Sequence, residues 1–427
     1  MPKKTKPANT VYPLSAIRAL ALHTQGLDAP QRTDGTMATQ ADLYAAVQKT
    51  GSLQIDTLQM AHRSHYLAAY SRVGRYDLTE LDKVSWGDGQ PNHPTRKLFE
   101  YWLHAACLIP LDDYRYLMPK MRWFRDGNHH WWKTWVKDKD NLAMTNQVLE
   151  RVRKEGPVRI SDFEYDGPRR DSWWDWKPAK RALEYLYDRG DLMIAGRVKF
   201  QRVYDVPERV LPDWVDTREA THEEMQRYFL ERALKSLGVA QLMQVADYAY
   251  QKRNEARPHL EAMQKEGVAV EIKAELTDGK TYPLVVHQDS LDLLEKAAAG
   301  EIQARRTTFL TPFDSLFWAK DRDEQFWNFE QILETYKPEP IRKWGYYCLP
   351  ILWHDQLIGR FDVKMERKEK NLRLRALHLE PGIVATDEMI ADVAAALRDF
   401  MAFHDAQTVV IEKSNPTDFG PQLMARL

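Results

Sequence analysis

Residues 178–205 read PAKRALEYLYDRGDLMIAGRVKFQRVYD, and this stretch decides the fold. Ala179, Leu183 and Leu186 recur at helical spacing, so its first part is a helix with one apolar stripe. Gly190-Asp191 closes that helix. Two short strands are expected next, over residues 192–195 and 199–205, with the turn at Gly196. Upstream, residues 148–155 form a helix that stops at Gly156-Pro157, and Ser161-Asp162 starts a short second one. Three helices and then a hairpin is the winged form of the helix-turn-helix.

The same order returns on both sides. Leu14, Ile17, Leu20 and Ala21 lie on one helical stripe. Thr39 stands as N-cap of a helix carrying Leu43, Ala46 and Val47, which Gly51 ends, and residues 53–58 are expected as a strand. A weaker copy covers residues 223–286, with helices over 225–236, 242–248 and 257–266 and a hairpin turned at Asp278-Gly279. Beyond it the pattern changes. Phe361, Val363 and Met365 alternate with Arg360, Asp362, Lys364 and Glu366, between apolar runs at 351–353 and 372–379, which predicts an antiparallel meander. A helix striped by Ile390, Val393, Leu397 and Met401 and a strand near Val409 complete the chain. The expected fold class is α+β: three tandem winged-helix (helix-turn-helix) units and a β-rich C-terminal domain. The expected divisions are a tail over 1–11, units over 12–125, 126–215 and 216–300, and the last domain over 301–427.

Composition narrows the function classes. A chain of 427 residues exceeds one ordinary domain. Hydrophobic residues at 44% and charged residues at 29% are globular proportions. The two cysteines, Cys107 and Cys348, exclude a disulfide scaffold and a four-thiolate metal site, and suit a reducing cytoplasm. Cys107 reads as core in an apolar helical context. Lys plus Arg (61) nearly balances Asp plus Glu (62), so any nucleic-acid contact rests on a local patch and not on bulk charge. The longest apolar run, 346–353, contains a proline and is too short to span a membrane, and the basic start lacks the apolar segment of a signal peptide. No membrane partner is expected.

One local patch stands out. Residues 115–200 hold 19 Lys/Arg against 13 Asp/Glu, and also Trp123, Trp131, Trp132, Trp135, Trp173, Trp174 and Trp176. Cations that neutralise phosphates, interleaved with rings that stack on bases, suit a nucleic-acid surface; rings that glue one unit to the next would leave the same trace. Lys177, Lys180 and Arg181 start the third helix of this unit, the end a recognition helix presents to the groove, and Arg197 and Lys199 lie in its wing.

Gln54-Ile55-Asp56 is the sharpest short pattern. On a strand, residues two apart face one side, so an amide and a carboxylate can hold one water between them while Ile55 points into the core. Gln and Asp also commonly share the wet face of an edge strand, and spacing alone favours that plainer reading. His62 and His65 have a spacing that could ligate metal, but no third ligand is placed beside them, and a structural pair is the simpler reading. Neither a phosphate-cradling glycine loop nor a nucleophile elbow is present in the sequence.

Taken with its surroundings, Gln54-Ile55-Asp56 resembles the YcaQ/AlkZ family of winged-helix DNA glycosylases. The similar segments are residues 51–56, 62–72, 98–106, 311–315, 347–353 and 359–362, in the family's order and across nearly the whole chain. The resemblance implies three tandem winged-helix units on a β-barrel-like scaffold. Asp56 matches the Gln-apolar-Asp, YcaQ-like branch. It implies excision of N7-alkylated guanines and unhooking of interstrand crosslinks, with Gln54 and Asp56 catalytic. No cofactor and no metal are implied, and the expected partner is duplex DNA carrying an alkylated or crosslinked guanine. Further DNA contacts are expected from His65 and Arg72 after the motif, and from the hairpin tip Trp353-His354 with Arg360 behind it. A monomer in the bacterial cytoplasm, associated with the nucleoid, is expected. The alternative is a non-catalytic winged-helix transcriptional regulator, which has no need of the amide–carboxylate pair.

Overall fold

A computed structural model describes residues 10–30, 35–87, 93–163 and 178–427. The chain divides into two compact units, each built from separated stretches. One comprises the chain through Leu78, Trp102–Cys107 and Phe229–Leu427; the other comprises Thr79–Tyr101 and Leu108–Tyr228.

In the first unit, the strand Val11–Tyr12 pairs in parallel with Ala269–Glu275, making the edge of a four-stranded sheet completed by Thr281–His287 and Val239–Ala240. That pairing draws the helix Leu14–Thr24 onto the same sheet. Ala16, Ile17, Ala19, Leu20, Ala21 and Leu22 are all buried, a stripe too broad for one covering face. They share a core with Val239, Ile272, Ala274, Leu284 and Val286. The helix expected to open the first winged unit therefore packs with the third such region. There, helices His222–Leu237, Leu242–Tyr248 and Arg253–Lys265 precede the hairpin, which turns where expected, with Gly279 at φ 73°.

The C-terminal sheet runs Thr307–Phe309, Cys348–Trp353, Gln356–Glu366, Asn371–Leu379, Thr408–Ile411, and curls into a half-barrel. It is antiparallel until its last pairing. Thr408–Ile411 lies parallel to Asn371–Leu379 because the helix Asp387–Phe403 carries the chain back across the sheet. The alternation in the central strand makes a wet face only at Lys364 and Glu366, since Arg360 and Asp362 are 1% and 5% exposed. Arg360 donates to Glu380 at 2.9 and 2.6 Å and lies between the rings of Phe329 and Trp344. Asp362 accepts the backbone N–H groups of Tyr346 and Tyr347, each at 3.0 Å. Partners of this kind make buried charge tolerable in the sheet.

The second unit contains helix Lys139–Glu155, strand Val158–Arg159, a 3-10 turn at Ile160–Asp162, helix Pro178–Asp188 and the hairpin Met193–Val198/Gln201–Asp205. The hairpin turns at Lys199-Phe200, with φ of 48° and 69°, and not at Gly196. Gly196 sits where the strand register slips, so its freedom serves a bulge. Trp132 and Trp135 are buried against Tyr185, and Trp132 Nε1 donates to Asp188 at 2.6 Å; Trp123 and Trp131 remain exposed. Trp173, Trp174 and Trp176 lie outside the described residues. Cys107 is core as expected, but on the strand Ala106–Pro110 and not on a helix.

Candidate active site

The segment that carries the amide and the carboxylate is fixed from both ends. A reciprocal box between Thr39 and Asp42 starts the helix Gln40–Thr50, and Gly51, at φ 81°, ends it. The chain enters a strand of two residues, Leu53–Gln54, and the Ile55 N–H still donates to the Ala106 carbonyl at 2.8 Å. The Ile55 side chain is buried, leaving Gln54 and Asp56 half-buried on either side of it. The strand is shorter than the expected 53–58. Asp56 Oδ1 accepts the Leu58 N–H at 2.7 Å, a local turn that competes with ladder pairing.

Burial pushes the Asp56 carboxyl above the ordinary carboxylate range, against the pull of the Leu58 and Thr57 N–H groups and the Arg63 charge. Its field reaches Tyr347, whose Oη lies 3.3 Å from Thr311 Oγ1; Thr311 Oγ1 is 3.4 Å from Ser64 Oγ. Gln54 Oε1 lies 2.9 Å from His104 Nε2. The His104 ring packs on Trp318, centroids 4.0 Å apart, and Trp318 Nε1 donates to the Phe313 carbonyl at 3.1 Å. This unit thus brings together stretches from residues 54, 104, 311 and 347. The arrangement can orient a small nucleophile with an amide and accept its proton on a carboxylate.

Several expected DNA contacts are engaged elsewhere. The helix Ser64–Val73 is buried on nearly every side. His65 is fully buried with its ring 4.1 Å from Tyr66, and Arg72 grips Asp314 with both arms and donates Nε to the Gln25 carbonyl at 3.0 Å. Neither presents a surface to phosphate, which corrects the expectation for both. Arg360 is corrected for the same reason: it is closed in beneath the sheet. Trp353 Nε1 donates to Asp392 at 2.9 Å, and His354 stacks on Trp353 with Nε2 3.3 Å from the same oxygen. The tip is therefore tied to the helix Asp387–Phe403.

In the second unit Lys177 lies outside the described residues. Lys180 and Arg181 are half-buried, and the Arg181 guanidinium sits 5.8 Å from the Trp131 ring. Arg197 binds Glu100 at 2.9 and 2.8 Å, so this hairpin arginine holds the fold and not a phosphate. Burial pushes the Glu100 carboxyl up, but Arg202 and Arg197 outweigh it and hold the group ionised. Lys199 is exposed at the hairpin tip. His62 packs in aromatic surroundings, 4.6 Å from Tyr66 and 6.1 Å from His404.

Sequence reasoning assigned no role to His104 or Trp318. No spacing rule links residue 104 to residue 54; only the hairpin of Leu98–Trp102 and Ala106–Pro110 brings them together.

A solved structure, Streptomyces sahachiroi DNA glycosylase AlkZ, shares the fold at TM-score 0.60 and 12% identity, covering 94% of this chain and 100% of that one. The sequence profile of the DNA glycosylase AlkZ-like family matches residues 47–403, which include Gln54, Asp56 and His104. The chain therefore belongs to the AlkZ-like DNA glycosylase family, a family of base-excising enzymes that act on DNA.

Proposed function

We propose that this enzyme is a monofunctional glycosylase that removes N7-alkylguanine and unhooks interstrand crosslinks by water attack at the sugar C1′. The observation that carries this reading is the half-buried pair, Gln54 held by His104 and Asp56 in a partly desolvated niche. An N7-alkylated guanine is cationic and leaves without a strong general acid. Breaking its bond builds positive charge on the sugar. Asp56 stabilises that charge and takes the proton of the attacking water, while Gln54 aligns the water. Burial that strengthens the carboxylate's hold on a proton suits a general base. A crosslink tying two strands does not fit a closed pocket, so the reading requires an open site.

The helix and hairpin orders of residues 139–205 and 222–287 support a reading of the molecule as tandem winged-helix units on a β-barrel-like scaffold. Exposed Lys199, Trp123 and Trp131, with Lys180 and Arg181, are the second unit's DNA-facing candidates. Among the described residues, no helix is long and apolar enough to cross a membrane. We read the protein as a monomer acting on duplex DNA. The test is incubation with a mustard-crosslinked duplex, then alkaline cleavage on a gel. Separated strands with breaks at guanines support the reading; intact crosslinks and no abasic sites sink it.

A further inference from the structure

The His104 imidazole reaches Gln54 from a distant turn, and that turn is bound to the site segment itself. Leu103 N–H donates to the Ala105 carbonyl at 3.0 Å across the turn, and the next residue, Ala106, accepts from Ile55 at 2.8 Å. The ring is held between aromatic neighbours: Trp318 at 4.0 Å with planes 58° apart, and Tyr250 at 6.0 Å. Trp318 is in turn fixed by the Phe313 carbonyl and packs 5.2 Å from Tyr248. A ring so confined delivers its Nε2 to one place, 2.9 Å from Gln54 Oε1.

A primary amide carries an acceptor on one side and a donor on the other. Left alone, the Gln54 side chain can turn over and exchange the two. A proton on His104 Nε2 donated to Oε1 removes that freedom and leaves the NH2 group as the end presented away from the imidazole. A water that accepts from this NH2 and donates to Asp56 keeps its second lone pair for C1′. Turned over, the amide offers the water a second acceptor and no donor, and the lone pair loses its direction.

We propose that His104 is a positioning residue for base excision: its Nε2–H holds the Gln54 amide in the orientation that aims the NH2 group at the attacking water. The proposal rests on the roles given above to Gln54 and Asp56. It needs no proton transfer by the imidazole, because the neutral ring protonated on Nε2 donates as the imidazolium does.

The test is single-turnover release of N7-methylguanine from duplex DNA by wild type, His104→Phe, His104→Gln, Gln54→Ala and the Gln54→Ala/His104→Phe double variant. Phenylalanine keeps a ring against Trp318 and loses the donor; glutamine restores a donor at nearly the same reach. His104→Phe should slow release about 10- to 100-fold, the usual scale for a residue that orients a site group, with DNA affinity unchanged. His104→Gln should recover most of the rate, and His104→Phe should add nothing once Gln54 is alanine. A full-rate His104→Phe, or losses that multiply in the double variant, overturns the proposal. If the phenylalanine variant does not fold, the glutamine variant decides: a retained rate supports the proposal and a lost rate overturns it. A wild type that releases no base fails the proposed function itself. An active wild type with inactive Asp56→Asn and full-rate His104→Phe fails this proposal alone.

Discussion

Arg72 and Asp314 meet through two parallel hydrogen bonds of 2.7 and 2.8 Å, with side chains 1% and 0% exposed. The pair fastens the helix Ser64–Val73 to the 311–315 segment, whose Thr311 stands beside Tyr347 near Asp56. Removing one partner leaves the other charge buried without its counter-charge. Asp314→Ala should therefore cost roughly 3–5 kcal/mol of stability, seen as an early thermal transition. Arg72→Met combined with Asp314→Leu should cost clearly less than Asp314→Ala. A double variant less stable than either single one would contradict this account.

Asp56→Asn should remove measurable excision of N7-methylguanine while DNA affinity stays within about twofold of wild type. In the wild type, the rate should rise with pH through a carboxyl group titrating above about 3.9, the ordinary aspartate value, and then level off. The stability consequence has the opposite sign. A carboxyl whose folded pKa is raised binds its proton more tightly folded than unfolded, so stability falls as pH climbs from the ordinary to the raised value. Asp56→Asn should thus melt slightly higher than wild type near neutral pH, with the gap closing in acid. A variant that melts lower at neutral pH counts against the desolvated carboxylate.

His62 is pushed down to about 3 and His404 to about 4, both chiefly by burial. Each is neutral when folded but gains a proton when unfolded below about pH 6.5. The stability they contribute is complete above that value and is lost as pH falls toward the folded values, at up to about 1.4 kcal/mol per pH unit for each group. Thermal melts between about pH 7 and pH 5 should fall steeply for wild type and more gently for His404→Phe. Equal slopes would remove His404 as a cause.

The Met193–Asp205 hairpin of the second unit separates two arginine and lysine roles. Arg197 is bound to buried Glu100, whereas Lys199 is exposed at the turn. Lys199→Ala should weaken DNA binding and reduce the salt slope of affinity by about 0.9, the value for one phosphate contact. Arg197→Ala should lower the melting temperature and leave that slope alone. The reverse outcome would exchange the two assignments.

Local signals were legible where their cause is local. The Thr39 cap, the Gly51 and Gly156 stops, the 242–248 helix and the 278–279 turn each depend on a few neighbouring residues, and the structure has them where the sequence puts them. The 53–58 strand shrank because an aspartate can satisfy a nearby N–H as well as a ladder can. The misplaced turn at Gly196 shares that character, since glycine marks a bulge as readily as a turn. Burial of charge was not legible. Arg72, Arg197 and Arg360 read as surface cations because their partners, Asp314, Glu100 and Glu380, are remote in sequence. His104 escaped for the same reason, although the motif around it was visible.

The parallel bond between Val11–Tyr12 and Lys273–Ala274 has a temporal side. A ribosome releases the first strand long before its mate exists, and Asp56 emerges well ahead of Thr311 and Tyr347. Closing such distant contacts is slow and awaits most of the polypeptide. The newborn chain therefore holds its Gln54–Asp56 segment without the neighbours that shape it. Translation that halts before the half-barrel should yield fragments unable to release a base from DNA, however complete their early helices.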